Sequence, residues 1–193
     1  MNEDEKALLK IGMSVALKPI TDIASDVLGI AGGAWLHETH LRIKRKLQEK
    51  TQQIFEQRKV ESPVEPSPSI LIPLLSVAQN ESRDELIDLW AKLLATAMDP
   101  KRVSMYRREY VEIAARLEPI DALVIAGLGA TTEQANKTRQ DLAFSLKVDV
   151  NQIDVSFRNL ANLNLVAPPN GLTLSAGVVY ITTLGKEFLR AVG

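Results

Sequence analysis

The chain has 193 residues, enough for one large domain or two small ones with a real core. Its 23 Lys and Arg against 24 Asp and Glu leave a formal net charge of −1. That argues against a general polyanion binder, because neutralising phosphates needs a basic excess. The absence of cysteine removes disulfides, thiolate zinc sites and cysteine nucleophiles together, and fits a reducing compartment.

The opening MNEDEKALLK is acidic, whereas a secretory signal opens on a positive segment, so the expected location is cytoplasmic. No run of 18 or more uncharged apolar residues occurs, which argues against a constitutive membrane span. Residues 5–59 read as helix. Lys10, Ser14, Lys18, Asp22 and Asp26 recur every four positions as one narrow polar stripe, and nearly everything between them is apolar or small. Pro19 and the glycines at 29, 32 and 33 predict two or three short helices in place of one rod.

From His37 the composition turns basic, with Arg42, Lys44, Arg45 and Lys46 as its densest part. Leu36, Ile43, Leu47 and Ile54 are spaced as a short heptad-like seam, which predicts a partner helix in a hairpin. Residues 61–69, ESPVEPSPS, form an extended linker, since each proline turns its predecessor away from helix.

Residues 70–118 return to helix. Ser82 and Glu85 have the spacing of a capping box, and MDP stops that helix at Asp99 and Pro100. A further helix is expected to carry Tyr106, Tyr110, Ile113, Ala114 and Leu117 on one face. Beyond 119 the pattern predicts helices over 120–128 and 133–146, then one capped by Asp149 or Asn151. PPNG marks a turn, LTLSAGVVYITTLG is β-prone, and LGKEFLRAVG closes the chain as helix.

The expected fold is therefore mainly α, with helical N-terminal and central layers and a C-terminal winged-helix-like domain carrying a small β-hairpin. Its parts are residues 1–60, a helical region with the basic helix; 61–69, the linker; 70–118, the central helices; and 119–193, the winged-helix-like domain.

The run ELIDLWAKLLATAMDP, residues 85–100, followed by REYVEIAARLEPIDALVI, residues 108–125, resembles the bacterial Abi-alpha family, named for abortive infection. The matching features are Pro73 with Leu74 and Leu75, then Leu89 and Trp90, then LLATAMDP, with EYVEIAARLEPIDA at the expected distance. The upstream small residues, the basic helix and the proline-rich linker fit as well, so the likeness spans most of residues 15–190. It implies a role in antiviral defence, halting or killing the phage-infected cell, and implies no catalytic residues.

The sequence holds no complete catalytic or metal-ligand pattern. His37 and His40 in HETH stand three apart, not the four that would let both face one ion, and no third ligand is evident. GLGATTEQAN, with Gly127 and Gly129, lacks the third glycine and the preceding strand of a nucleotide fingerprint. No serine lies near a histidine and an acid. The chain is expected to be no enzyme, with no cofactor, no metal and no small-molecule substrate.

The C-terminal domain raises DNA binding. Residues 151–164 offer Asn151, Gln152, Asn159, Asn162 and Asn164, but Arg158 is their one cation, against Asp154. The presumed wing, residues 167–185, carries no charge, so phosphate contacts are few. A protein-interaction or dimerisation module is the preferred reading.

Residues 27–36, VLGIAGGAWL, are uncharged and as helix extend about 15 Å, half a hydrocarbon core. Val27, Leu28, Gly29, Gly32, Gly33 and Trp35 are candidates for a membrane or oligomer contact. Arg42, Lys44, Arg45 and Lys46 are candidates for an anionic partner, whether lipid headgroup or nucleic acid. Helix packing is preferred over bilayer contact, because reaching a full span would include Lys18, Asp22 and Asp26, each costing about 2.5 to 3.5 kcal/mol at the bilayer centre. The expected partners are a second copy or another protein, with peripheral contact at the inner membrane after a trigger. The alternatives are a winged-helix transcriptional regulator and a helical adaptor subunit.

Overall fold

The structure is a computed structural model. It describes residues 34–130 and 137–193, apart from the side chains of 34–37 and 137. The chain divides into two compact units, Met1–Ala115 and Arg116–Gly193.

In the first unit α1 spans Ala34–Arg58 as one helix of 25 residues. Ile43, Leu47, Ile54 and Phe55 bury its inner side, so the seam read from the sequence is the packed face. Its main neighbour is α3, Asp84–Met98. The two helices pair at a constant offset of 38 residues: Lys46 with Asp84, Lys50 with Asp88, and Arg58 with Thr96. A constant offset means that they run parallel. The expected hairpin of adjacent helices is therefore corrected. Parallel neighbours need a return path, and residues 61–69 with α2, Pro68–Ala78, supply it. The proline-rich segment is fastened on the way, since the Val64 amide donates to the Met98 carbonyl over 2.8 Å.

Helix α2 starts with Pro68 in its first turn, where the missing amide leaves no bond unmade. It turns Leu71, Leu74, Leu75 and Ala78 inward. Helix α3 is buried nearly all round, from Leu86 through Trp90 to Met98, as a helix apolar on every side requires. The Ser82–Glu85 capping box does not form. The helix begins after Arg83, whose own side chain makes no cap bond. Glu81 competes locally instead, accepting from the Arg83 amide and from its Nε, both over 2.9 Å. After Met98 a single 3-10 turn, Val103–Met105, leads to α4, Glu109–Ala115. Tyr106 and Leu117 thus fall outside the helix expected to carry them, while Tyr110, Ile113 and Ala114 are buried within it.

The second unit opens with α5, Pro119–Gly129, which the sequence reading placed within a residue or two. Its capping box, Glu118 with Asp121, was not anticipated. Strand β1, Lys137–Thr138, occupies positions expected to be helical, and α6 begins only at Arg139 and runs to Leu146. The reason is local. The Thr138 hydroxyl accepts from the Asp141 amide while the Asp141 carboxylate accepts from the Thr138 amide, a box that fixes the start. The part of that expectation over 131–136 lies outside the described residues.

Lys147, in a left-handed conformation with φ 56°, turns the chain into α7, Val150–Asn162, whose cap is the Asp149 carboxylate bonded to the Asn151 amide. Then come β2, Val166–Ala167; a 3-10 turn, Leu174–Ala176; β3, Val178–Ile181; and α8, Thr183–Val192. Strand β3 is central. β2 pairs with it antiparallel through Val166 with Ile181 and Ala167 with Tyr180, forming the small hairpin near the C-terminus. β1 adds to the other edge through Lys137 with Val179 and Thr138 with Val178.

The closing ITTLGKEFL has a physical reading at each of three positions. The Thr182 hydroxyl accepts from the Gly185 amide and donates to the Asn164 carbonyl. Gly185 has no Cβ because one would strike the Leu165 carbonyl. Phe188 is fully buried and joins Leu142, Ile153, Phe157, Leu160 and Val179 in the core of this unit.

Candidate functional site

The first candidate surface is the basic helix. Lys46 Nζ pairs with Asp84 at 2.7 Å, and Lys50 reaches Asp88 at 3.5 Å. Lys92 holds the same Asp88 carboxylate at 2.8 Å. The hydrogen bond and charge of Lys46, with help from Lys50 and Arg42, lower the Asp84 pKa from its ordinary value. Burial alone would raise Asp88, but Lys92 and Lys50 outweigh it and hold that carboxyl low as well. Part of the basic run is therefore neutralised within the chain. Arg42 and Arg45 stay exposed, Lys44 is half-buried, and Lys46 is partly exposed but paired with Asp84.

Where α1 meets the start of α3, an open cleft of about 370 Å³ is lined by Arg42, Ile43, Lys46, Ser82, Asp84, Glu85 and Ile87. Its charges are mixed and its mouth is wide, so it favours neither anions nor cations. One turn further back, His40 is buried with Nε2 at 3.3 Å from Asn80 Oδ1, and its ring belongs to the packing of this unit. Val27, Leu28, Gly29, Gly32 and Gly33 lie outside the described residues, as does the side chain of Trp35.

At the far end of α3, Arg58 donates from Nη1 to Thr96 Oγ1 at 3.0 Å. Burial, then the nearby Arg102 charge, lower the Arg58 guanidinium to about 10, with Asp99 opposing. Cations here meet the carbonyl end of α3, which is a structural use of charge. Tyr106, half-buried nearby in sequence, has its hydroxyl pushed up to about 12 by burial, with Arg108 pulling the other way.

The second candidate surface is the outer side of α6 and α7. Of the five polar candidates Asn151, Gln152, Asn159, Asn162 and Asn164, four lie on α7 and Asn164 just after it. Asn159 faces inward, where Nδ2 donates to Asp121 Oδ2 at 2.7 Å and to the Arg116 carbonyl at 3.0 Å. Asn164 sits past the helix end with φ 57°, its carbonyl bonded by Thr182. Asn151, Gln152, Arg158 and Asn162 remain exposed. Arg139, which would be a second cation here, is bound through Nη1 to both Asp154 oxygens, at 2.8 and 2.6 Å. Its Nη2 donates to the Ser175 carbonyl, tying the 3-10 turn of the hairpin to α7.

Two apolar side chains stand out on these helices: Phe144 on α6 is 88% exposed and Val155 on α7 is 68% exposed. The sequence reading passed over both. The signal was available, because Leu142 and Ile153 mark the buried sides, and a residue two positions on lies about 200° round the helix.

Among the described residues no three His, Asp or Glu side chains are grouped to hold a metal ion. Among the same residues no helix is long and apolar enough to cross a membrane.

Two mainly helical units, the second with a small antiparallel hairpin, define the class of protein. A family model described as abortive infection alpha matches residues 41–192, and the chain belongs to that family. Searches of the curated proteins and of the solved structures find no match. At the coarse level that its name carries, the family links the chain to abortive infection and so to defence against phage.

Proposed function

We propose that this chain is a phage-defence protein that works by binding another protein and performs no chemistry of its own. The observation that supports association is the outer surface of α6 and α7, where Phe144 and Val155 stand in solvent. Phe144 and Val155 are large apolar side chains open to solvent on two packed helices, and covering them is what a partner would do. We read the unit as a winged helix, with α7 where a reading helix would lie and residues 167–185 as the wing. The order helix, strand, helix, helix, hairpin, helix supports that reading.

The second reading is a nucleic-acid regulator. It is favoured by Asn151, Gln152, Arg158 and Asn162, which share the exposed side of α7 and have the groups that bond base edges. It is the weaker one because Arg139 is held by Asp154 and the hairpin offers no cation to a phosphate backbone.

The test is plaque formation on cells carrying the wild type or a Phe144→Ser, Val155→Asp double variant, both checked for folding by circular dichroism. Protection by the wild type and its loss in the variant is the expected result. A wild type that protects no better than an empty vector against a broad phage panel overturns the defence reading. Tight binding of random duplex DNA at low salt overturns the protein-association reading in favour of the regulator.

A further inference from the structure

We propose that the 3-10 turn after α3 docks on an anionic lipid surface, with Val103 and Met105 entering the headgroup boundary and Lys101, Arg107 and Arg108 binding the headgroups. The turn belongs to the first unit, so the proposal stands apart from the association reading, which rests on the second. Residues 101–108, KRVSMYRR, hold four cations and no acid. Lys101, Val103, Ser104, Met105, Arg107 and Arg108 are all exposed, the two apolar side chains by 39% and 38%.

Asp99 fixes this segment. Its carbonyl accepts from the Arg102 and Val103 amides over 2.9 and 2.8 Å, and its carboxylate from the Lys101 amide over 2.9 Å. The Met105 amide donates to the Arg102 carbonyl and the Tyr106 amide to the Val103 carbonyl. Val103 and Met105 are therefore held out by a closed backbone at the end of α3, with cations before and after them.

Charge selects the sign of the partner. Among the described residues, Lys101, Arg107 and Arg108 make no ion pair. Asp99 is buried against the amides just named, and Glu109 opens α4. The linker fastened to Met98 brings Glu61 and Glu65 to the same end, where Arg58 and Lys59 match them in number, so the excess is that of 101–108. The net charge of −1 does not cancel it, because charges more than about 8 Å away are largely screened at physiological salt.

The apolar pair selects the class of partner. Phosphates along a nucleic acid offer nothing to Val103 and Met105, which gain only from a partner with an apolar layer beneath its charge. An anionic bilayer has that order, headgroups outside and hydrocarbon within, and binding to it adds buried apolar area to headgroup attraction. Tyr106, half-buried beside them, is a residue type enriched at headgroup depth.

The experiment is flotation of the full chain with vesicles of phosphatidylcholine alone, or of phosphatidylcholine and phosphatidylglycerol in equal parts. The wild type is expected to float with the anionic vesicles only, and less at high salt. Each cation near such a surface strengthens binding about fivefold, so Lys101→Gln, Arg107→Gln, Arg108→Gln together are expected to weaken it about a hundredfold. Val103→Ser with Met105→Ser is expected to weaken it about tenfold. All five positions are exposed, and circular dichroism checks that folding is unchanged. The chain has no cysteine, so Ser104→Cys takes an environment-sensitive dye at one place, and its emission is expected to shift blue on anionic vesicles. The same dye on Ser76→Cys is expected not to shift, because Ser76 bonds Asn80 beside His40, at the opposite end of the unit.

A wild type that does not float with anionic vesicles at low salt overturns the proposal, as does equal flotation with neutral ones. Flotation that the triple variant retains assigns binding to other cations and overturns it too. An apolar double variant that binds like the wild type, or a dye on Ser104→Cys that does not shift, removes the insertion and with it the proposal. Binding of random duplex DNA that the triple variant loses and the apolar double variant keeps, without flotation, assigns the turn to nucleic acid instead.

Discussion

Helices α1 and α7 both carry sequences that ask for a partner, and the structure answers them differently. The cations of α1 look like a surface for anions, yet Lys46 and Lys50 find their counter-charges on α3, 38 residues downstream in each case. The polar stripe of α7 looks like a solvated face, yet it is the one that leaves Val155 open beside Arg158. A run of like charge states a need for opposite charge, and that need can be met inside the chain. A polar stripe with an uncovered apolar centre states a need that nothing on its own helix meets.

The comparison is broken most severely by hollowing α3, the main neighbour of α1. Trp90 is 1% exposed at the middle of α3, between the two lysine contacts and the Arg58 contact. Trp90→Ala is expected to cost about 3 to 5 kcal/mol, the range for truncating a buried aromatic. Urea unfolding followed by circular dichroism measures it. A loss below about 0.5 kcal/mol, the range of surface substitutions, would show that α3 is not the centre of the first unit.

A middle-sized effect comes from Arg139, the side chain whose capture by Asp154 withdraws a cation from the α7 surface. Arg139→Ala removes a two-pronged bond to a carboxylate and the bond to the Ser175 carbonyl. It is expected to destabilise the second unit by about 1.5 to 3 kcal/mol, the range of hydrogen bonds to charged groups. Arg139→Lys is expected to recover only part of this, since a lysine cannot reproduce the fork. Equal stability of the alanine and wild-type chains in thermal melts would mean that Arg139 is free to serve a ligand.

Much of this was legible beforehand where a residue's role is local. Asp149 as a cap, the stop at MDP and the seam of Ile43, Leu47 and Ile54 each follow from neighbours within a few positions. The parallel run of α1 and α3 was not legible, because short helical segments separated by prolines suggest a hairpin until contacts 38 residues apart are seen. Strand β1 has two residues and therefore no alternation to read. Asn159 carries the same amide as Asn151, and only the position of Asp121 turns it from a candidate reader into a strut. The candidate surface is half-legible: its polar members stand out in the sequence, while Phe144 and Val155 are exposed apolar positions that the sequence reading does not single out.

The smallest expected effect is the sharpest test of the α1 side. Lys46 and Asp84 are both substantially exposed, 43% and 64% for their side chains, so screening makes their pair the weakest of these contacts, with a coupling near the limit of detection in a double-mutant cycle of Lys46→Met and Asp84→Asn. The pH dependence has a fixed sign. Asp84 and Asp88 ionise more readily in the folded chain than in the unfolded one, so their contribution is complete above the ordinary aspartate value near 4. It fades as the pH falls from there through their lowered folded values, because over that window the unfolded chain takes up protons that the folded carboxylates do not. Urea midpoints taken from pH 6 down to pH 2 should therefore drop less in the Asp84→Asn, Asp88→Asn variant than in the wild type. Parallel curves would mean that the α3 carboxylates do not engage the basic helix, and would return all four of its cations to the list of groups available to an outside partner.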